Sequence, residues 1–186
     1  MVLRDRDLLG QMASEGLVHV NVTVTTLDAE LARSMEPRTS TPAARLKAIR
    51  GLAEAGVPVR VLIAPVIPGL TASEIPAILA AAGEAGARHA AYTMLRLPLA
   101  MAPVFREWLV RCYPDRAQKV EGQVRGMRGG RLNSAEFGER MVGRGEMAEQ
   151  IAGLFRLFAQ KHGLAGGLPP HGCSRFRPPR PKAGQL

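Results

Sequence analysis

The stretch Val18-His-Val-Asn-Val-Thr-Val-Thr25 decides how the rest of this 186-residue chain is read. Val18, Val20, Val22 and Val24 alternate with His19, Asn21, Thr23 and Thr25, and a period of two is the signature of a β-strand with unlike faces. One face is β-branched and apolar, the other polar. The polar face points inward at a ligand if the strand belongs to a barrel, or faces water if the sheet is one-sided. Alternation alone leaves both open.

Working outward, the pattern repeats as strand then helix. Asp28 starts a short helix that must stop near Glu36, because Pro37 disfavours helical geometry in the residue before it. Thr41 is a good N-cap and Pro42 a good first helical residue. Leu46, Ile49 and Ala53 then form the apolar stripe of a helix that ends at Gly56. Val57-Pro-Val-Arg-Val-Leu-Ile-Ala64 is a nearly continuous apolar run, expected of a strand covered on both faces. Pro65-Val-Ile-Pro-Gly69 reads as a rigid loop, and Thr71-Ala-Ser-Glu74 as a capping box opening a helix through about Ala85. A third strand runs from about His89 to Leu95. The crossover helices enforce parallel pairing, and three such units fall short of an eight-stranded barrel of roughly 250 residues. The fold class expected is therefore α/β, a partial (βα) barrel with about three parallel βα units and a helical C-terminal extension. Its boundaries fall at 1–98, 99–165 and a tail at 166–186.

Beyond Pro98 only helices are expected. Phe105, Trp108, Leu109 and Cys112 stand at i, i+3, i+4 and i+7, which makes Cys112 a buried small hydrophobe. Further helices cover about Asp115 to Met127 and Met147 to His162, the last with Ile151, Leu154, Phe155 and Phe158 inward. The tail has five prolines, four glycines and four basic residues without an acid, so disorder is expected there.

Composition narrows the function classes. No apolar run approaches the roughly eighteen residues of a membrane span, and no signal-like apolar segment opens the chain, so a cytoplasmic protein without a membrane partner is expected. Cys112 and Cys173 form neither a disulfide framework nor a metal-ligand spacing. The net charge is +9, and residues 101–186 hold fifteen Lys/Arg against seven Asp/Glu. That excess suits an anionic partner such as nucleic acid. Arg128-Gly-Gly-Arg131 either cradles a phosphate or is a solvated loop. His19 and His89, at strand starts, are read as structural, while His162 and His171 are left without partners or role.

A resemblance becomes specific over a longer set of residues. Val22-Thr-Val-Thr-Thr-Leu-Asp28, Ala32-Arg-Ser-Met-Glu-Pro-Arg38, Arg45-Leu46, Leu52-Ala-Glu-Ala-Gly-Val-Pro58 and Ala64-Pro-Val-Ile-Pro-Gly69 look like the middle of a radical S-adenosylmethionine (radical SAM) protein. The likeness is in particular to the subgroup related to spore photoproduct lyase. Arg96-Leu-Pro98, Phe105-Arg-Glu-Trp-Leu109 and Met127-Arg-Gly-Gly130 extend the likeness. It implies a partial barrel in which a [4Fe-4S] cluster on a three-cysteine loop cleaves S-adenosylmethionine reductively to give a radical that abstracts hydrogen. That loop is missing here, and Met1 to Leu9 resembles the segment after the family's third strand. The chain thus reads as the C-terminal half of such an enzyme, with the cluster expected only in a full-length parent, no metal site of its own, and no activity alone.

By the same resemblance Thr23 hydrogen-bonds the ribose of S-adenosylmethionine, which favours the inward reading of its face. Arg38 pairs with the methionine carboxylate. Pro65, Val66 and the backbone near Leu97 contact the adenine. The partner implied is the missing N-terminal barrel half or a split chain carrying it. The alternative is a module without catalysis, either binding nucleic acid through the basic C-terminal half or completing another chain's barrel.

Overall fold

A computed structural model describes residues 2–174 and 176–178. A 3-10 turn, Val2–Asp5, leads into α1 (Arg6–Ser14), and then β1 (Val20–Thr23), α2 (Ala29–Met35), α3 (Pro42–Glu54), β2 (Val59–Val66), a 3-10 turn (Ala72–Glu74), α4 (Ile75–Glu84) and β3 (His89–Met94) follow. Helices α5 (Met101–Cys112), α6 (Pro114–Gly126), α7 (Glu139–Val142) and α8 (Glu146–Lys161) complete the order. The three strands form one parallel sheet in the order β1-β2-β3, an α/β fold with three βα units and a helical extension.

Register explains the two faces. Val20 stands beside Val59 and Val22 beside Val61, while Val61 stands beside Ala90 and Ile63 beside Tyr92. These residues share the face on which α3, α4 and α8 pack, and Val24, Val59, Val61, Ile63 and Met94 are wholly buried with Ile49, Leu52, Ile78 and Leu79. His19, Asn21, Thr23, Arg60, Leu62, Ala64, His89, Ala91 and Thr93 point to the other side, as strand alternation requires. Helix α8 contributes Ala148, Ile151 and Ala159 to this same core. A second cluster joins Leu31, Ile67, Leu95 and Leu97 to Trp108 and Leu109 of α5 and to Val120 and Val124 of α6. The helices beyond residue 98 therefore build on the sheet rather than apart from it.

Local signals act as the sequence reading has them at α2 and α3. The Asp28 carboxylate accepts from the N–H groups of Glu30 and Leu31, and the Thr41 hydroxyl from that of Ala44, with Pro42 in the first turn.

Three expectations change. First, β2 runs on through Pro65 and Val66, which the sequence reading places in a loop. The pairing with β3 slips by one residue between Ile63 and Val66, the geometry of a bulge, and that slip accommodates a proline in a central strand. Second, Thr71 and Glu74 form no capping box: the Thr71 hydroxyl accepts from the Ile67 N–H at 2.9 Å, and Glu74 turns away to the loop after β1. Third, Cys112 is exposed. Trp108 and Leu109 are the buried residues of α5, and the ring of Tyr113, 5.6 Å from that of Trp108, closes the apolar stripe in its place.

The tail from 166 has neither helix nor strand through Ser174, and residues 175 and 179–186 lie outside the described set. Ala165 bridges His89 in antiparallel fashion, the His89 Nδ1 stands 2.8 Å from the Gly166 carbonyl oxygen, and the Gly172 N–H donates to the Gly16 carbonyl at 2.9 Å. The His171 ring stacks on that of His19 at 4.5 Å, so His171 does have a partner. Among the described residues no helix is long and apolar enough to cross a membrane.

Candidate functional site

Strand C-termini gather loops in parallel βα folds, and here they open into one cavity of about 780 Å³. Thr23, Pro65, Thr93 and Leu97 come to it from the sheet side, Glu36 from the end of α2, and Phe105 and Trp108 from α5. The Trp108 indole N–H donates to the Ser34 carbonyl at 3.1 Å, which ties α5 to α2 across the mouth of the sheet. The walls are thus mostly apolar, with a few polar groups converging.

A hydrogen-bond network holds the β1 end of this cavity. Arg45, on α3, donates from Nη1 to the Thr23 carbonyl at 3.0 Å, from Nε to the Ser40 carbonyl at 3.0 Å and from Nη2 to the Thr39 hydroxyl at 2.9 Å. Its Nη2 also forms a close ion pair with the Glu36 carboxylate. The Thr25 hydroxyl donates to the Ala64 carbonyl at 3.0 Å and lies 3.4 Å from the Glu36 Oε1. One step further along, Glu74 accepts from the Thr26 hydroxyl at 2.6 Å and from the Leu27 N–H at 2.7 Å. The Thr26 hydroxyl in turn accepts from the Asp28 N–H at 3.0 Å. Strand end, helix cap and crossover are locked by partners far apart in sequence. The Thr23 side chain, which lines the cavity, makes no hydrogen bond among the described residues, and neither does that of Thr93.

The structure brings together Thr23, Pro65 and Leu97 of the residues singled out by sequence. Val66 does not line the cavity, because the bulge returns its side chain to the helix-covered face, where it is 0% exposed. Arg38 is exposed in the α2–α3 connection and outside the lining, and the guanidinium beside the strand ends belongs to Arg45. Glu36, Arg45, Glu74, Thr93 and Trp108 escape the sequence reading as site residues. The one available signal was the pairing of an acid and a base on either side of Pro37, and nine residues of separation give it no fixed geometry.

At the opposite end of the strands, His19 sits with His171, Arg60 and His89 around it. Burial, then the nearby His171, Arg60 and His89, hold its imidazole below the ordinary 6.5, and its Nδ1 is buried without a hydrogen-bond partner. A histidine whose folded value is depressed takes up its proton more readily when the chain is unfolded. Stability is therefore full above about pH 6.5 and falls as pH drops from there toward the folded value. The melting temperature should fall between about pH 7.5 and 5.5, and His19→Gln should flatten that slope. A slope unchanged in the variant would place its origin elsewhere.

Among the described residues no group of three or more His, Cys, Asp or Glu could hold a metal ion, and Cys112 and Cys173 are both exposed. The residues present do not fit an iron-sulfur cluster. The cavity at the strand ends instead offers the Thr23 and Thr93 hydroxyls between mostly apolar walls.

The arrangement defines a parallel βα protein with a cavity at its strand C-termini. Residues 1–82 match the Radical SAM superfamily model. An uncharacterized protein of Mycobacterium tuberculosis is 34% identical over 117 residues, covering 62% of this chain and 34% of the relative. A protein of Mycobacterium bovis, also uncharacterized, gives the same figures. An uncharacterized protein of Acidianus two-tailed virus is 37% identical over 68 residues, covering 37% of this chain and 22% of its own length. The chain thus spans about a third of the mycobacterial relatives it matches. No solved structure matches.

Proposed function

We propose that these residues supply the ribose and adenine side of an S-adenosylmethionine pocket in a radical SAM enzyme, of the subgroup related to spore photoproduct lyase, whose cluster-binding loop lies outside them. The observation that carries the reading is the free Thr23 hydroxyl at the C-terminal end of β1, facing an apolar-walled cavity within the segment that matches the superfamily. S-adenosylmethionine supplies hydrogen-abstraction chemistry in that superfamily. The residues here bind and orient. Thr23 exchanges a hydrogen bond with a ribose hydroxyl, and Pro65, Leu97 and Trp108 pack against the base and exclude water from it. Arg45 and Glu36 keep the Thr23 backbone in place, so the hydroxyl is positioned before the ligand arrives.

Calorimetric titration of the chain with S-adenosylmethionine tests this without needing turnover. Thr23→Val is nearly isosteric and should leave folding intact while weakening binding by about 1 kcal/mol, roughly fivefold, the net value of one neutral hydrogen bond. Equal affinity of variant and parent, or no saturable heat with the parent, would sink the assignment.

A further inference from the structure

Behind β3, on the side of the molecule built by residues 128–144, lies a second cavity of about 660 Å³ whose lining is polar and rich in arginine. Arg128, Arg131 and Arg144 face it, with Asn133, and only two acids, Glu136 and Glu139, balance them. Arg128 is the unusual member. It is 4% exposed, and its Nη1 and Nη2 donate to the carbonyls of Glu139 and Leu95, both at 2.9 Å. Its Nε–H is buried and has no acceptor among the described residues. A buried guanidinium donor left unpaired is costly, and such an orphan calls for an acceptor that the described residues do not supply. Burial, reinforced by the neighbouring Arg96, pushes Arg128 below the ordinary arginine value against the opposing pull of Glu139, so positive charge is crowded here.

The loop is shaped to expose that charge. Gly129 and Gly130 both take positive φ, +64° and +84°, a conformation that glycine adopts without strain. A Cβ at Gly129 would collide with the Arg144 guanidinium, so glycine lets Arg144 lie over the backbone beside Arg128. Arg144 is itself anchored by its N–H donating to the Met127 carbonyl at 3.1 Å and is only loosely engaged by Glu139, at 3.9 Å. Two further features select among anions. The Asn133 Oδ1 is buried without a donor, and the carboxylates of Glu136 and Glu139 are acceptors in the same lining. Acceptors inside a guanidinium-rich cavity suit an oxyanion that brings a proton of its own.

We infer that this cavity is a binding site for a phosphate oxyanion, with Arg131 and Arg144 closing on its oxygens, the orphaned Arg128 donor behind them, and Asn133 or a glutamate receiving its remaining P–OH. The site is separate from the cavity at the strand ends, and its failure leaves the nucleoside reading untouched. Charge-assisted guanidinium bonds supply the attraction. Phosphate keeps a proton at neutral pH and sulfate does not, so the acceptors favour phosphate.

The test is calorimetric titration of the full chain with inorganic phosphate at constant ionic strength, chloride making up the balance, with sulfate as a parallel arm. Saturable phosphate binding is expected, tighter than sulfate. Arg131→Gln with Arg144→Gln should weaken it by about tenfold or more. Both side chains are exposed, so the double variant keeps the core, and an unchanged thermal melt verifies that. A methyl phosphate arm identifies the source: tighter binding than phosphate marks the phosphomonoester of a larger ligand, and weaker binding marks the free ion. Phosphate no better than chloride, sulfate equal to phosphate, or full affinity in the folded double variant would overturn the proposal.

Discussion

Replacing Arg45 by methionine should cost about 2–3 kcal/mol of folding stability. Methionine keeps the aliphatic stem and removes only the guanidinium, so the loss isolates its bonds. Four acceptors lose their donor together: the Thr23 and Ser40 carbonyls, the Thr39 hydroxyl and the Glu36 carboxylate. The Glu36 side chain is 26% exposed, so water partly solvates the stranded charge, and the cost stays below the range of about 3–5 kcal/mol for a fully buried pair. Urea unfolding monitored by circular dichroism measures it. Arg45→Lys should recover only part, since an ammonium cannot reach carbonyl, hydroxyl and carboxylate in one plane. A variant within about 0.5 kcal/mol of the parent would mean that the network merely decorates the cavity's edge.

Ile63→Ala should cost about 3–4 kcal/mol. Ile63 is wholly buried in the central strand, with β1 on one side and Tyr92 of β3 beside it in register, and the helix layer above. A strand held on three sides cannot collapse into the space left by three carbons, so both the transfer and the cavity contributions are felt. Ile63→Val should cost about 1 kcal/mol. Leu8→Ala, at a side chain 59% exposed, should lie within about 0.5 kcal/mol of the parent. Chemical denaturation of the three variants gives the ordering, and a small loss at Ile63 would contradict the central place of β2.

The parallel βα core was legible because its signals are local. The alternation around Val18–Thr25, the continuous apolar run before Pro65 and the Thr41-Pro42 start each speak through neighbours in sequence. What escaped depends on distant residues. Thr71 and Glu74 have the spacing of a capping box, yet Glu74 gains more from a buried hydroxyl 48 residues away and an N–H 47 residues away, and local spacing cannot reveal that competition. Pro65 reads as the end of a strand, and only pairing with β3 carries the strand past it. Alternation put Thr23 on the polar face but left inward and outward open, and its place in the cavity lining was anticipated only through the family likeness. Glu36 and Arg45 were not, because a turn at Pro37 brings them together, and nothing in the types of the two residues encodes that turn's path. Cys112 kept the helical period of a core residue at a helix end, where Tyr113 had already filled the space.

Trp108 is the chain's single tryptophan, and it is 8% exposed in the wall of the cavity with its indole N–H tied to α2. Its emission therefore comes from one place. A ligand of the proposed kind entering the cavity that Trp108 lines would alter its surroundings and quench or shift the fluorescence, while loosening of the α2–α5 junction would redden it as water reaches the ring. The molecule thus carries its own optical gauge of occupancy at the site, readable without a label and at concentrations far below those calorimetry needs.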